Sequence, residues 1–89
     1  MAIVIPAGRT AGVDVSYAQG KNIPWKALRD EGIRFSLARA GQGTRITDAT
    51  FLPNCEGASS NDILPLSYHF LECDVDPAAQ ARQYARLAK

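Results

Sequence analysis

The stretch GVDVSYAQG, residues 12–20, decides how the rest of the chain is interpreted. It begins as a strand, in which Val13 and Val15 point to one face while Asp14 and Ser16 point to the other. A carboxylate in a short apolar strand is costly unless it is solvated, paired or hydrogen-bonded. Asp14 is therefore a solvated residue at a strand end, a structural hydrogen-bond acceptor, or part of a site.

Strand-like segments recur along the chain and are separated by helical ones. The strands are predicted at residues 12–16, 35–38 and 63–70. A β-α-β-α-β-α order with short connections predicts parallel neighbours with right-handed crossovers. Because three parallel strands are too few to cover both sheet faces, we expect an α/β fold that is an incomplete (β/α) barrel of the TIM-like type, with three βα units. Asp14 should then share a face with Ser36 or Ala38.

Helix boundaries are marked by proline, glycine and a capping carboxylate. Pro24 suits the first turn of a first helix, and Gly32 suits its end. Pro53 predicts a second helix that starts near it, and the glycine and small polar residues at 56–62 predict its end. Asp76 is expected to cap a last helix, in which apolar residues repeat at helical spacing.

Composition limits the class of protein and its partners. The chain has 89 residues, of which 46% are hydrophobic and 21% charged, which favours one small folded domain over disorder. Residues 1–10 are expected to form an N-terminal arm. The formal net charge of +1 gives no field that would attract nucleic acid or a membrane surface. The apolar start is too short for a signal peptide or a membrane span, so no export address is predicted.

Metal and phosphate motifs are absent from the pattern. Cys55 and Cys73 fit neither a metal knuckle nor a redox CxxC motif, which leaves two free thiols or one disulfide. His69 is the single histidine, so a histidine-rich metal site is not expected. The GQGT segment at residues 41–44 lacks dinucleotide and P-loop spacing and is predicted to be a flexible rim loop.

Polar and aromatic side chains gather where each predicted strand ends. They are Asp14, Ser16, Tyr17, Gln19, Arg39, Gln42, Tyr68 and His69. Sites on parallel sheets lie at this edge, and aromatic rings with fixed donors and acceptors suit a sugar. Arg39 is alternatively an internal salt-bridge partner. Tyr68 and His69 are adjacent and point to opposite faces, so only one can face the barrel interior while the other packs under a helix.

An ordered set of motifs then resembles a known family. GVDVSYAQG, IPWKALRDEGIRFSLARAGQGT, Asp48, Phe51, Asn54, YHF and DPAAQA occur in one order. The set is similar to the amino-terminal part of the Chalaropsis-type lysozymes, glycoside hydrolase family 25, over about residues 11–89. Those are cell-wall N-acetylmuramidases, often phage endolysins. The resemblance implies cleavage of the β-1,4 bond between N-acetylmuramic acid and N-acetylglucosamine in a peptidoglycan strand, outside the cell or after host lysis, without a metal or organic cofactor.

The resemblance also assigns residues. Asp14 matches the acidic residue in the active-site floor and is the catalytic candidate; the candidates for substrate binding are Tyr17, Gln19, Arg39, Gln42, Tyr68 and His69. The family's acid–base glutamate and companion aspartate, a D-x-E motif on the fourth strand, have no counterpart here, and Glu72 is the nearest spare acid. We therefore expect these 89 residues alone to be inactive. The alternative is a non-catalytic glycan-binding or assembly fragment that pairs with the remainder of the barrel or with a second copy.

Overall fold

The alternating apolar segments form one sheet in the computed structural model, which describes residues 5–88. Strands β1 (Ala11–Val15) and β2 (Ile33–Gln42) are parallel, β3 (Ile46–Thr47) is antiparallel to the end of β2, and β4 (Leu64–Phe70) is parallel to β2. The three predicted parallel strands are confirmed, with β2 between β1 and β4. The short antiparallel β3 is an addition that the sequence did not predict.

Strand register determines which side chains share a face. Asp14 pairs with Leu37, and Arg39 pairs with Tyr68, so all four lie on one face of the sheet, here called the open face. The prediction that Asp14 shares a face with Ser36 or Ala38 is therefore wrong by one residue. Ser36 and Ala38 are buried on the opposite face, because the apolar valines of β1 pair with them.

The first helix begins and ends, and the last helix begins, at the residues that the sequence predicted. Helix α1 (Trp25–Asp30) starts after Pro24, and the chain leaves it through Gly32 at φ 104°, a left-handed backbone conformation that glycine adopts without strain. Helix α3 (Pro77–Leu87) starts after Asp76, whose side chain accepts a 3.2 Å hydrogen bond from the Ala78 amide. No helix within residues 5–88 is long and apolar enough to cross a membrane.

Helix α2 (Phe51–Ser59) begins two residues earlier than predicted and ends within the segment 56–62 that was predicted to end it. It begins two residues before Pro53, which is tolerated because amides in the first turn have no intrahelical partner. It also continues through Gly57, where a Cβ would lie 2.3 Å from the indole of Trp25. Gly57 therefore lets α1 and α2 approach closely, and packing overrides its poor helix propensity.

The core lies between the sheet and the helices. Its fully buried apolar residues are Val15, Trp25, Ile33, Ala38, Ala40, Phe51, Ala58 and Ile63. On the open face, by contrast, Leu64 and Leu66 of β4 are 58% and 41% exposed. One face of the sheet is thus covered by helices, while the other leaves large apolar side chains in contact with solvent.

None of residues 5–10 is buried in this core, whereas Cys55 packs against it and Cys73 is exposed. Residues 5–10 form neither helix nor strand, and a turn closes between the Arg9 amide and the Pro6 carbonyl at 3.2 Å. Residues 1–4 of the predicted arm lie outside the described residues. Cys55 and Cys73 are free thiols, so the disulfide alternative is not the one observed.

A buried amide fixes the connection between β4 and α3. The side chain of Gln80 is 1% exposed; it accepts from the Glu72 amide at 2.8 Å and donates to the carbonyls of Glu72 and Val75 at 2.9 and 3.0 Å. The backbone of this loop would otherwise lack partners in a partly buried setting. Gln80 therefore gives the loop backbone the hydrogen bonds that a neighbouring strand would otherwise supply.

Replacing Gln80 with leucine should destabilise the chain by roughly 2–3 kcal/mol, because a buried amide and its backbone partners lose their hydrogen bonds together. Gln83→Leu, one turn later on the same helix, is the matched control and should change the free energy of unfolding by less than about 0.5 kcal/mol. Urea titration of both variants measures the difference. Equal losses in the two variants would contradict the role given to Gln80.

Candidate active site

Three strand ends bring one acid, one base and one phenol to the open face. Asp14 is the next-to-last residue of β1, Arg39 lies near the end of β2, and Tyr68 lies beside Arg39 on β4. Burial raises the pKa of Tyr68, and the negative charge of Asp14 raises it further. Tyr68 therefore stays a protonated phenol at neutral pH, which can donate a hydrogen bond. Asp14 is exposed and faces solvent on this side of the sheet.

The buried carboxylate of Asp48 links Arg39 of β2 to the turn that follows β1. Asp48 Oδ2 accepts from Arg39 Nε at 2.9 Å and from the Tyr17 amide at 3.0 Å. Asp48 Oδ1 accepts from the amide and the hydroxyl of Thr50 at 2.9 and 2.6 Å. The Asp48 side chain is fully buried, and that of Arg39 is 8% exposed. The open alternative for Arg39, an internal salt bridge, is therefore realised.

The β2–β3 hairpin places Asp48 next to the carboxyl end of β2. Gly43 turns the chain at φ 56°, and its amide donates to the Phe70 carbonyl at 3.0 Å. After β3, the Asp48 amide donates to the Ala40 carbonyl at 2.9 Å, which returns the chain beneath β2. The first two residues of the GQGT segment thus belong to β2, and the other two form the turn of the hairpin, so the segment is not a loop throughout as predicted. The partner strand β3 is only two residues long and left no pattern in the sequence.

Arg39 also forms part of an open pocket at the rim. Its Nη1 donates to Gln42 Oε1 at 3.0 Å, and its guanidinium lies 5.0 Å from the centre of the Tyr17 ring. This contact is a cation–π interaction. The pocket has a volume of about 510 Å³, and its lining comprises Tyr17, Arg39, Gln42, Ile46, Thr47, Asp48 and Ala49. The structure thus brings Tyr17, Arg39 and Gln42 together, as the sequence predicted.

Two other candidates from the sequence have structural partners. Gln19 accepts from the Ser16 amide at 2.8 Å and closes the turn that follows β1. His69 lies on the opposite face from Tyr68, where its ring packs 5.4 Å from that of Tyr84 and its Nε2 lies 2.8 Å from the Gly43 carbonyl. His69 is therefore the residue that packs under a helix, away from the open face, and its assignment to the sugar-contacting surface is not supported by this position.

Glu72, the spare acid named from the sequence, lies in the loop after β4. Glu72 lies against Gly43, where a Cβ would come within 1.8 Å of its carboxylate, and it lines a second pocket with Asp74 and Arg45. No group of three metal-ligating side chains occurs within residues 5–88.

Comparison with known proteins assigns the chain to a family. The family described as glycosyl hydrolases family 25 matches residues 13–89. The chain belongs to this family. An N,O-diacetylmuramidase from Arthroderma benhamiae is 34% identical over 74 residues, which are 83% of this chain and 31% of that protein.

Solved structures of family 25 proteins have the same arrangement of elements. A family 25 glycosyl hydrolase from Bacillus anthracis superposes with a TM-score of 0.86 at 27% identity, over 99% of this chain and 40% of the other. A muramidase from Acremonium alcalophilum gives 0.84 at 30% identity, over 90% of this chain and 38% of the other. The chain therefore spans well under half the length of its family 25 relatives, and its fold is that of their barrel.

The sequence singled out Asp48 only as one of the residues that carry the family resemblance, and it did not predict the role of this carboxylate in the family 25 site. Burial acts to raise its pKa, but hydrogen bonds from the Thr50 side chain and amide, the Tyr17 amide and Arg39 outweigh burial, and the pKa lies below its ordinary value. Asp48 stays ionised and cannot donate a proton at neutral pH.

The lowered pKa of Asp48 makes stability depend on pH in a defined direction. The stabilisation is fully present above the ordinary value of 3.8 and is lost as pH falls through the lower folded value. Asp48→Asn should be roughly 3 kcal/mol less stable at neutral pH. That difference should shrink below about pH 4, because asparagine does not ionise.

Urea titrations between about pH 2 and pH 7 measure this effect. Thr50→Val removes the hydroxyl that donates to Asp48, so in this variant the acid-induced loss of stability should begin at a higher pH than in the wild type. A difference between Asp48→Asn and wild type that stays constant over the whole range would contradict the assignment.

Proposed function

We propose that residues 11–89 are the amino-terminal part of a peptidoglycan hydrolase, an N-acetylmuramidase that cleaves the β-1,4 bond between N-acetylmuramic acid and N-acetylglucosamine. The observation that supports this most is the meeting of Asp14, Arg39 and Tyr68 on the open face of a family 25 sheet. The name of the related N,O-diacetylmuramidase points to the same substrate class. Such an enzyme acts on the cell wall, with a peptidoglycan strand as its partner.

Each residue at the open face has a chemical role in this proposal. Glycoside hydrolysis passes through a state in which the sugar carries positive charge, and it needs one acid to protonate the leaving oxygen. Asp14 would stabilise that positive charge, because a fixed carboxylate acts most strongly where charge develops. Tyr68, kept protonated, would donate a hydrogen bond to the sugar or to the second carboxylate. Tyr17, Arg39 and Gln42 would bind the flanking sugar.

The leaving-group proton needs a further carboxyl group. Asp48 is ionised and committed to Arg39, and Glu72 lies in the loop beyond β4. We propose that the acid–base pair comes from a following strand of the barrel, next to β4. The exposed apolar side chains of Leu64 and Leu66 on the open face support this, since further strands would cover them. Residues 1–10 would then form an arm before the barrel.

The proposed role of Asp14 predicts a loss of turnover without a loss of folding. In the complete family 25 domain, Asp14→Asn should lower kcat on purified peptidoglycan by about 10²-fold or more, because removing a group that stabilises transition-state charge costs this much. Release of reducing sugar measures the rate. Asp62→Asn is the matched control, since Asp62 is exposed in the turn before β4 and its φ of 58° suits asparagine.

Three outcomes would count against this proposal in different ways. Activity of Asp14→Asn within a few-fold of wild type would make Asp14 merely structural. Binding of glycan strands without cleavage by the complete domain would favour a binding module. A stable complex between two copies of residues 11–89, seen as a doubled mass, would favour an assembly fragment.

The isolated 89 residues should show no lysis of wall suspensions. The missing proton transfer is commonly worth about 10²–10⁴-fold in rate. Turbidity of a wall suspension, measured beside the complete domain, tests this. Clear lysis by the isolated chain would require an unrecognised acid within it, and Glu72→Gln would then be the first variant to examine.

A further inference from the structure

We propose that Asp48 is a positioning residue, which holds Arg39 and Tyr17 together as a sugar-binding platform at the rim of the open face. The platform is defined here as the Tyr17 ring, the Arg39 guanidinium and the Gln42 amide. The inference rests on the proposed function, and it adds to it a residue whose task is to shape the substrate site without a hydrogen bond to the sugar. It follows from the contacts of one buried side chain.

Asp48 is fully used as a hydrogen-bond acceptor. Its two oxygens receive four donors, two of them on Thr50, one on Arg39 and one on Tyr17. A carboxylate has about four acceptor positions, so none is left for a substrate hydroxyl. The side chain has no exposed surface. Although Asp48 lines the pocket, its carboxylate oxygens have no acceptor position left for a sugar hydroxyl, so its influence must pass through the groups that it holds.

Those groups come from separate parts of the chain. Tyr17 lies in the turn after β1, Arg39 lies in β2, and Thr50 caps the start of α2. The Tyr17 amide and Arg39 Nε bond the same oxygen, so the position of the turn and that of the guanidinium are linked. The turn has a second support, since Asn54 Nδ2 donates to the Gly20 carbonyl at 3.2 Å.

The chemistry of the platform fits an uncharged sugar ring. The charges of Arg39 and Asp48 compensate each other, so the platform does not present a free cation to an anion. What it presents is the Tyr17 ring, which is 66% exposed, beside the flat Arg39 guanidinium and the Gln42 amide. The adjoining pocket of about 510 Å³ lies in the range of small-ligand sites. A ring to stack on with donors at its edge suits an N-acetylhexosamine.

Kinetics of the complete domain on soluble, uncrosslinked glycan strands separate positioning from catalysis. Asp48→Asn keeps the shape of the side chain but loses the charge that orients Arg39. Its KM should rise at least about tenfold, the factor that one charge-assisted hydrogen bond is worth, while kcat changes little. Ile63→Val, a buried substitution on the helix-covered side, controls for lost stability and should leave KM unchanged.

A double-mutant cycle identifies the path of the effect. If Asp48 acts through Arg39, then Arg39→Gln should raise KM by itself, and adding Asp48→Asn to it should raise KM by less than twofold further. Full multiplication of the two effects would contradict the linkage. Arg39→Lys keeps the ion pair and loses the flat guanidinium, so it should raise KM even where Asp48→Asn fails to fold; an unchanged KM in Arg39→Lys would overturn the platform.

The wild type separates this inference from the proposed function. A wild-type domain that does not cleave the strands refutes the proposed function and this inference with it. An active wild type whose folded Asp48→Asn variant keeps the wild-type KM refutes the positioning role alone. A rise in KM that the Ile63→Val control reproduces at matched melting temperature would also refute it, because the effect would then be one of stability.

Discussion

The ion pair between Arg39 and Asp48 is the interaction on which the rim of this sheet depends. It is buried, and removing one partner of such a pair typically costs about 3–5 kcal/mol because the other charge is left without compensation. The pair joins the end of β2 to the start of α2, and through the Tyr17 amide it joins the turn after β1 as well. Three segments that are distant in sequence thus have one common support.

Asp48 and Asp14, the two acids near the rim, differ in their surroundings because only Asp48 is part of the buried ion pair. Asp48 lies beneath the sheet edge with every acceptor position occupied, whereas Asp14 is the next-to-last residue of β1 on the open face and is exposed. Burial with four donors makes a carboxylate a permanent anion that shapes its surroundings. Asp14 is exposed beside the phenol of Tyr68, as its proposed role requires.

Much of the fold and part of the site could be predicted from the sequence. Alternating apolar residues gave the three parallel strands, Asp76 marked the start of α3, and the opposite orientation of Tyr68 and His69 followed from strand geometry. The register of Asp14 was missed, because pairing is set by packing between strands. The role of Asp48 was missed because β3 is two residues long and has no periodic signal. Long-range hydrogen bonds of single polar residues, such as that of Gln80, leave no local pattern.

The decisive measurement is a crystal structure of the complete family 25 domain that carries Asp14→Asn and a bound peptidoglycan disaccharide repeat. We expect a sugar ring stacked on Tyr17, a second sugar beside residue 14 and the Tyr68 hydroxyl, and Arg39 still bonded to Asp48, with no hydrogen bond between the Asp48 carboxylate and the glycan. A glycan bound on the helix-covered face beside His69 and Tyr84, or hydrogen-bonded to the Asp48 carboxylate, would contradict this expectation.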